Sequence, residues 1–83
     1  MDVVWTAASK RALARLPEKV ATAVVEFIYG PLAGNPERVG KPLRFELGGL
    51  RSARRGDFRI IYRITDRVTI VAIDHRADVY RKS

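Results

Sequence analysis

An alternation of apolar and polar side chains from Asp57 to Thr65 constrains the fold more than any other feature of this sequence. One set consists of Phe58, Ile60, Tyr62 and Ile64, and the interleaved set consists of Arg59, Ile61, Arg63 and Thr65. Side chains of a β-strand point alternately to its two faces. The segment therefore predicts a strand with one face in an apolar core and an open face that carries two guanidinium groups.

The rest of the chain predicts a first strand, two helices and a loop. Asp2 to Trp5 indicates the strand, and Thr6 is suited to cap the helix that follows. Apolar residues at three- and four-residue spacing predict a second helix that Gly30-Pro31 stops. Glycine and proline without periodicity predict a long loop from Leu32 to Gly49. Three strands then follow at 50–55, 57–65 and 68–75, with turns at Gly56-Asp57 and Asp66-Arg67.

The order of these elements is β-α-α-β-β-β. It predicts an α+β fold in which a helical hairpin packs on one face of a small, mainly antiparallel sheet. A chain of 83 residues is enough for one such domain, so we expect a single domain over 1–83. The other face of the sheet is then left open.

Two arginines are expected to face each other on that open side. A two-residue turn at Gly56-Asp57 sets Arg54 directly opposite Arg59. A two-residue second turn places Asp74 beside Arg59, whereas a bulge of one residue places His75 there instead. Like charges directly opposite each other destabilise a sheet. The arginine pair therefore predicts either a bound anion or side chains that spread into solvent.

The composition indicates a partner that carries negative charge. Sixteen Lys and Arg against nine Asp and Glu give a net charge of +7, and twelve of the sixteen are Arg. Arginine binds phosphate or carboxylate bidentately. Eight basic residues crowd positions 38–63, namely Arg38, Lys41, Arg44, Arg51, Arg54, Arg55, Arg59 and Arg63. This concentration predicts phosphate binding, and a solvated charged face is the alternative.

The same composition argues against several classes of protein. The chain has no Cys and one His, which removes disulfides and nearly excludes a zinc site. Its longest apolar tract, Val20 to Leu32, is too short to cross a bilayer. Met1 is followed by Asp2 and not by the basic start of a signal peptide. We expect a soluble cytoplasmic protein that uses no metal or cofactor.

A second group of reactive side chains follows the last strand. His75, Arg76 and Tyr80 offer an imidazole, a guanidinium and a phenol close to the C-terminus. Such groups transfer protons and stabilise the charge that develops on a reacting phosphate. A single histidine is more often structural than catalytic, so structural roles for His75 and Tyr80 stay open.

Five motifs are spread along nearly the whole chain. They are Trp5-Thr6, Gly40-Lys41-Pro42-Leu43, Leu47-Gly48-Gly49-Leu50, the block from Arg51 to Tyr62, and His75-Arg76 with Tyr80. Together they resemble the RelE/ParE superfamily of type II toxin–antitoxin toxins, on the RelE side. The block from Gly56 to Tyr62, together with the downstream His75-Arg76 and Tyr80, is fairly specific to this superfamily.

The resemblance implies a metal-independent endoribonuclease that cuts mRNA on the ribosome, where the 2′-hydroxyl of the RNA attacks the adjacent phosphate. It also implies an acidic, RelB-like antitoxin that holds the toxin inactive in a hetero-oligomer. Arg59 then stabilises the phosphate, and Tyr80 acts at the leaving group. The full catalytic set is Arg59, Arg54, Tyr80, His75 and Arg76. The residues expected to bind RNA are Lys41, Arg44, Arg51, Arg55, Arg63 and Arg81.

The resemblance leaves the general base unassigned. Relatives use paired lysines or a glutamate near the second strand, where this chain has Lys41, Arg44, Glu46 and Ser52. Arginine stays protonated and is a poor base. Two other functions therefore stand beside the nuclease, a ParE-like poison of DNA gyrase and an inactive homologue that only binds the antitoxin. The arginine-rich cluster favours the nuclease, because a gyrase poison needs no phosphate-centred site.

Overall fold

The computed structural model describes residues 1–43 and 49–75. The elements in chain order are β1 (Val3–Trp5), α1 (Ala7–Ala14), α2 (Glu18–Phe27), a π-helical turn (Ile28–Leu32), α3 (Pro36–Val39), β2 (Lys41–Pro42), β3 (Leu50–Arg55), β4 (Phe58–Ile64) and β5 (Val68–His75). The strands form one sheet in the order β1-β5-β4-β3-β2. β1 runs parallel to β5, and the other three pairings are antiparallel. The predicted α+β fold and mainly antiparallel sheet are confirmed.

The helices cover one face of this sheet, as the alternation in β4 predicts. The buried cluster consists of Val24, Ile28, Leu32, Ala53, Ile60, Tyr62, Val68, Ile70 and Ile73, and Phe58 and Ile64 pack against it. Every member of the apolar set of β4 therefore faces the helices. On the open face Ile61 is only 7% exposed, so the centre of that face is apolar and its charges lie around this centre.

Thr6 begins α1 and also anchors it to the sheet. Its Oγ1 accepts a hydrogen bond from the backbone N–H of Ser9 at 3.1 Å, which is the predicted N-cap. The same hydroxyl lies 3.0 Å from the carbonyl of Val71 and donates to it. The Thr6 N–H donates to the carbonyl of Ile70 at 3.1 Å. One residue thus joins the helix start to the middle of β5.

The predicted helix stop at Gly30-Pro31 is wrong. Helical backbone continues through both residues as the π-helical turn that follows α2. Pro31 has no N–H to donate to the preceding turn, and a wider turn accommodates it. Ile28 and Leu32 are fully buried within this turn, and their burial offsets the lost backbone hydrogen bond. None of the helices in 1–43 and 49–75 is long and apolar enough to cross a bilayer.

The predicted loop from Leu32 to Gly49 contains structure that the sequence pattern misses. α3 and the two-residue strand β2 both lie inside it, and β2 pairs with β3 through Lys41–Ser52 and Pro42–Arg51. Both elements are too short to produce a recognisable periodicity. The part of the predicted loop at 44–48 lies outside the described residues.

The register of β4 against β5 results from a longer turn than the sequence predicts and from a bulge in β5. The first pair after the connection is Ile64 with Val68, so the loop has three residues and not the predicted two. β5 then carries one extra residue, Val71, as a bulge between its pairs with β4. The longer loop and the bulge cancel, and Arg59 lies opposite Asp74. Of the two neighbours that the sequence left open for Arg59, the structure has Asp74, although it also contains a bulge, the feature that was expected to bring His75 there.

Gly40 lies at the closest approach between the α3–β2 connection and the sheet. A Cβ atom at this position would collide with the Tyr62 hydroxyl and would lie 2.8 Å from the carbonyl oxygen of Ser52. That hydroxyl donates a hydrogen bond of 2.6 Å to the carbonyl of Pro36, and burial raises the pKa of the Tyr62 phenol above its usual value. Gly40 is therefore required for space, since its φ of −116° suits any residue.

Replacing Gly40 with alanine should lower the free energy of unfolding by about 1–3 kcal/mol, the usual cost of overpacking a buried contact. Urea denaturation followed by circular dichroism measures this. Gly34→Ala is the matched control, because a Cβ atom there would meet nothing within 4 Å, and it should change the free energy by less than about 1 kcal/mol. Equal stability of the two variants would contradict the packing assigned to Gly40.

Candidate functional site

Two arginines face each other on the open side of the sheet, at the end where β3 turns into β4. Arg54 and Arg59 are direct cross-strand partners in the hairpin register, and both are exposed. Gly56 has a φ of 59°, the left-handed conformation that a two-residue hairpin turn requires and that glycine adopts without strain. The tight turn fixes the register, and the register brings the two guanidinium groups together.

Asp74 supplies the negative charge beside this pair. It is the cross-strand partner of Arg59 on β5, and Arg59 Nη2 donates to Asp74 Oδ2 at 3.2 Å. The two side chains are 44% and 38% exposed. Among the residues that the structure describes, Arg54 pairs with no carboxylate. The row Arg54–Arg59–Asp74 therefore runs across three strands with one net positive charge.

This ion pair is weak enough for an anion to compete with it. Exposed ion pairs contribute about 0–1 kcal/mol, because water screens them and the side chains lose entropy. The pair uses one of the N–H donors of Arg59, and a guanidinium has five. A phosphate can therefore bind Arg59 without removing Asp74 completely, and Arg54 stands on the other side to bind it as well.

More positive charge lies elsewhere on the same face. Arg63 is four residues beyond Arg59 on β4 and pairs in register with Leu50 and Thr69. Lys41 is exposed on β2 and pairs with Ser52, the next open-face position of β3. These two residues extend the positively charged surface beyond the arginine pair.

Arg51 has a different environment from Lys41 and Arg55, which are exposed members of the predicted RNA-binding set. Its Nη2 donates to the carbonyls of Glu37 at 2.7 Å and Gly40 at 3.1 Å. Its cross-strand partner is Tyr62, which lies in the core. The guanidinium therefore points to the helix-covered side and holds α3 against the sheet.

His75 also lies on the side opposite to the arginine pair. It is the partner of Phe58, and the two rings are 4.6 Å apart at an angle of 51°. Arg55 is the other partner of Phe58 and is exposed. At the described end of β5, the structure thus brings Asp74, and not His75, to Arg59.

A comparison with known families assigns this chain to one of them. The family model described as ParE toxin of type II toxin-antitoxin system, parDE, matches residues 3–80. The chain belongs to this family. Toxin RelE of Mycobacterium tuberculosis (strain ATCC 25618 / H37Rv) is 56% identical over 82 residues, which cover 95% of this chain and 84% of that protein. Toxin RelG of the same organism is 52% identical over 83 residues, covering 96% and 95%.

A solved structure supports the same assignment. A chain in the crystal structure of the toxin–antitoxin complex RelBE2 from Mycobacterium tuberculosis superposes with a TM-score of 0.86. It is 51% identical, and the match covers 93% of this chain and 92% of that one. The protein is therefore a type II toxin–antitoxin toxin of the RelE family, which confirms the resemblance seen in the sequence.

Four residues predicted for the toxin's site lie outside the described parts of the chain. They are Arg44, Arg76, Tyr80 and Arg81. Their predicted roles, like those of the other site residues, stay predictions. Within 1–43 and 49–75, no three His, Asp or Glu side chains lie together as a metal site requires.

Two features of this site were not anticipated from the sequence. Asp74 was one of the two neighbours that the sequence left open for Arg59, and no role in the site was assigned to it. The sequence does distinguish Asp74, because it is the one acidic residue in β3, β4 and β5. The structural role of Arg51 had no such signal, since an arginine in a basic run looks the same whether it binds backbone carbonyls or RNA.

Replacing Arg51 with methionine should destabilise this toxin by about 2 kcal/mol, because hydrogen bonds from a charged donor to the Glu37 and Gly40 carbonyls are lost. Thermal melting measures this change, which corresponds to a fall in Tm of roughly 8–16 °C for a domain of this size. Arg55→Met, at an exposed neighbouring position, should shift Tm by only a small part of that amount. An Arg51→Met protein that melts with the parent would contradict the structural role.

Proposed function

We propose that this toxin is a metal-independent endoribonuclease that cleaves mRNA on the ribosome, in the cytoplasm. The observation that carries the proposal is the direct opposition of Arg54 and Arg59 on an open sheet face. Two guanidinium groups at this spacing cost stability unless an anion lies between them. The two relatives that are more than 50% identical are named RelE and RelG, which agrees with the family expectation.

The chemistry follows from the charges. The 2′-hydroxyl of the RNA attacks the adjacent phosphate, and negative charge builds up on the non-bridging oxygens in the transition state. Arg59 and Arg54 donate hydrogen bonds to these oxygens from fixed positions on two paired strands, so little reorganisation is needed as the charge develops. Preorganised cations of this kind supply a large share of the rate in such reactions.

The remaining predicted residues complete this proposal. Tyr80 acts near the leaving oxygen, and Arg76 adds a cation beside it, as the family resemblance implies. His75 belongs to the same proposed group, although its described partner is the ring of Phe58. Along the RNA we assign phosphate contacts to Lys41, Arg44, Arg55, Arg63 and Arg81. Arg51 is retained in this set, with its backbone hydrogen bonds as its main role.

An acidic antitoxin is the proposed partner that keeps the toxin inactive. The net charge of +7 and the exposed arginines favour an anionic protein segment over this face. The RelBE2 structure, with a chain 51% identical to this one, is a toxin–antitoxin complex. We expect a hetero-oligomer in which acidic side chains of the antitoxin take the place of phosphate.

Arg59→Ala should abolish growth arrest and reduce mRNA cleavage by about 10²- to 10³-fold, the usual cost of removing one transition-state donor. Arg63→Ala should have a smaller effect, because it lies four residues from Arg59 and away from Arg54. Each variant is expressed without antitoxin, and cleavage is measured by primer extension on mRNA. Co-expression of the antitoxin should restore growth of the parent strain.

Arg67→Ala is the matched control for Arg59→Ala. Arg67 is an exposed arginine that forms an ion pair of 3.2 Å with Asp66, but it lies at the opposite end of β4. It should leave cleavage unchanged. A folded Arg59→Ala protein that is as toxic as the parent would overturn the phosphate assignment and favour the gyrase or antitoxin-binding function.

The RNA fragments should end in a 2′,3′-cyclic phosphate or the 3′-phosphate derived from it, and the downstream fragments should begin with a 5′-hydroxyl. Attack by the 2′-oxygen has no other product, whereas attack by a metal-bound water leaves a 3′-hydroxyl or a 5′-phosphate. End-specific enzymatic labelling of purified fragments distinguishes these cases. An RNA with a 2′-deoxynucleotide at the cleaved position is the control, and it should resist the toxin. A 3′-hydroxyl product would disprove the proposed attack.

A further inference from the structure

One carboxylate lies within the row Arg54–Arg59–Asp74, and the mechanism proposed above assigns no role to it. Asp74 is the only acidic residue in β3, β4 and β5, and it is the direct partner of Arg59. Its Oδ2 lies 3.2 Å from Arg59 Nη2, so a phosphate bound to Arg59 has this carboxylate beside it. An acidic group would be expected to weaken RNA binding at this position. Its presence therefore calls for a function.

The bulge in β5 is what brings Asp74 to the open face. On one side of the bulge Ile64 pairs with Val68, and on the other side the pairing is shifted by one residue, as in Arg59–Asp74. Without the extra residue Val71, the same register would pair Arg59 with Ile73 and turn Asp74 to the helix-covered side. Thr6 holds this bulge through its hydrogen bond to the Val71 carbonyl. Bulges often redirect a side chain next to an active site.

The alternatives for a proton acceptor in this row are poor. Arg54 and Arg59 stay protonated and cannot accept a proton. His75 lies on the other side of the sheet, against Phe58. Lys41 lies one strand beyond β3, opposite Ser52 and not in the row of Arg59. Among the described residues of the row, only Asp74 combines a free lone pair with contact to the phosphate-binding arginine.

We infer that Asp74 is the general base of this toxin, an inference that rests on the nuclease proposed above. The 2′-hydroxyl gives its proton to the Asp74 carboxylate while the 2′-oxygen forms its bond to phosphorus. The bond from phosphorus to the 5′-oxygen breaks, and that oxygen leaves with the electron pair and takes a proton from an acid or from solvent. Asp74 then returns its proton to water. Arg59 has two tasks, because it binds the phosphate and holds the carboxylate next to it.

Replacing Asp74 should lower the cleavage rate without weakening RNA binding. Asp74→Asn keeps the size of the side chain and removes its charge, so cleavage of ribosome-bound mRNA should fall by about 10²-fold or more. Binding to the same RNA with a 2′-deoxynucleotide at the cleaved position should stay equal or become tighter, because repulsion of phosphate is removed. Arg59→Ala should lose both. Asp66→Asn removes the carboxylate of a comparable exposed ion pair at the other end of β4 and should change neither.

Chemical rescue is a second measurement, and it distinguishes a general base from a residue with a purely structural role. Added formate should restore part of the cleavage by Asp74→Ala and should do nothing for Arg59→Ala. Circular dichroism and neutralisation by the antitoxin check the fold. Asp74→Glu keeps a carboxylate and should retain more activity than Asp74→Asn or Asp74→Ala. Three outcomes would overturn the role of Asp74. They are cleavage by Asp74→Asn within threefold of the parent, a parallel loss of binding and cleavage, and the absence of rescue by formate. A parent protein that does not cleave RNA overturns the nuclease itself.

Discussion

The central strand β4 has a neighbour on each side and a different environment on each face, and most of the structure depends on this position. Its apolar set is buried under the helices, while Arg59 and Arg63 face the open side. Because side chains alternate strictly along a strand, a slip of one residue would put arginines into the core and isoleucines into solvent. The burial of a few large side chains in a small domain therefore also fixes the positions of the charges.

The open face gains its character from two local features, a tight turn at one end of the sheet and a bulge in the middle of β5. The tight turn at Gly56 sets Arg54 against Arg59, and the bulge at Val71 brings Asp74 to the same row. The turn and the bulge involve different strands, and each sets one of the two cross-strand partners of Arg59. Thr6 links the bulge to the start of α1 through a single hydroxyl, so the position of α1 and the geometry of the arginine row are coupled.

Similar residues in this chain carry out different physical tasks. Arg51 and Arg54 are three positions apart on one strand, but Arg51 donates to backbone carbonyls on the helix side and Arg54 lies exposed on the other. Asp66 and Asp74 both form ion pairs of 3.2 Å with arginine, and only Asp74 lies in the arginine row. Neither charge nor residue type distinguishes these roles, because each depends on which face and which end of the sheet the residue occupies.

The sequence by itself determined the elements whose signals are local. These are the N-cap at Thr6, the buried set of β4, the hairpin that opposes Arg54 and Arg59, and the family. The tertiary structure decided what depends on distant contacts. Burial of Ile28 and Leu32 carries helical backbone past Gly30-Pro31, and the three-residue loop and the bulge together set the partner of Arg59. A bulge leaves no periodic signal, since one extra residue is stabilised by bonds to elements far away in the chain. The sequence therefore left both Asp74 and His75 open as the neighbour of Arg59.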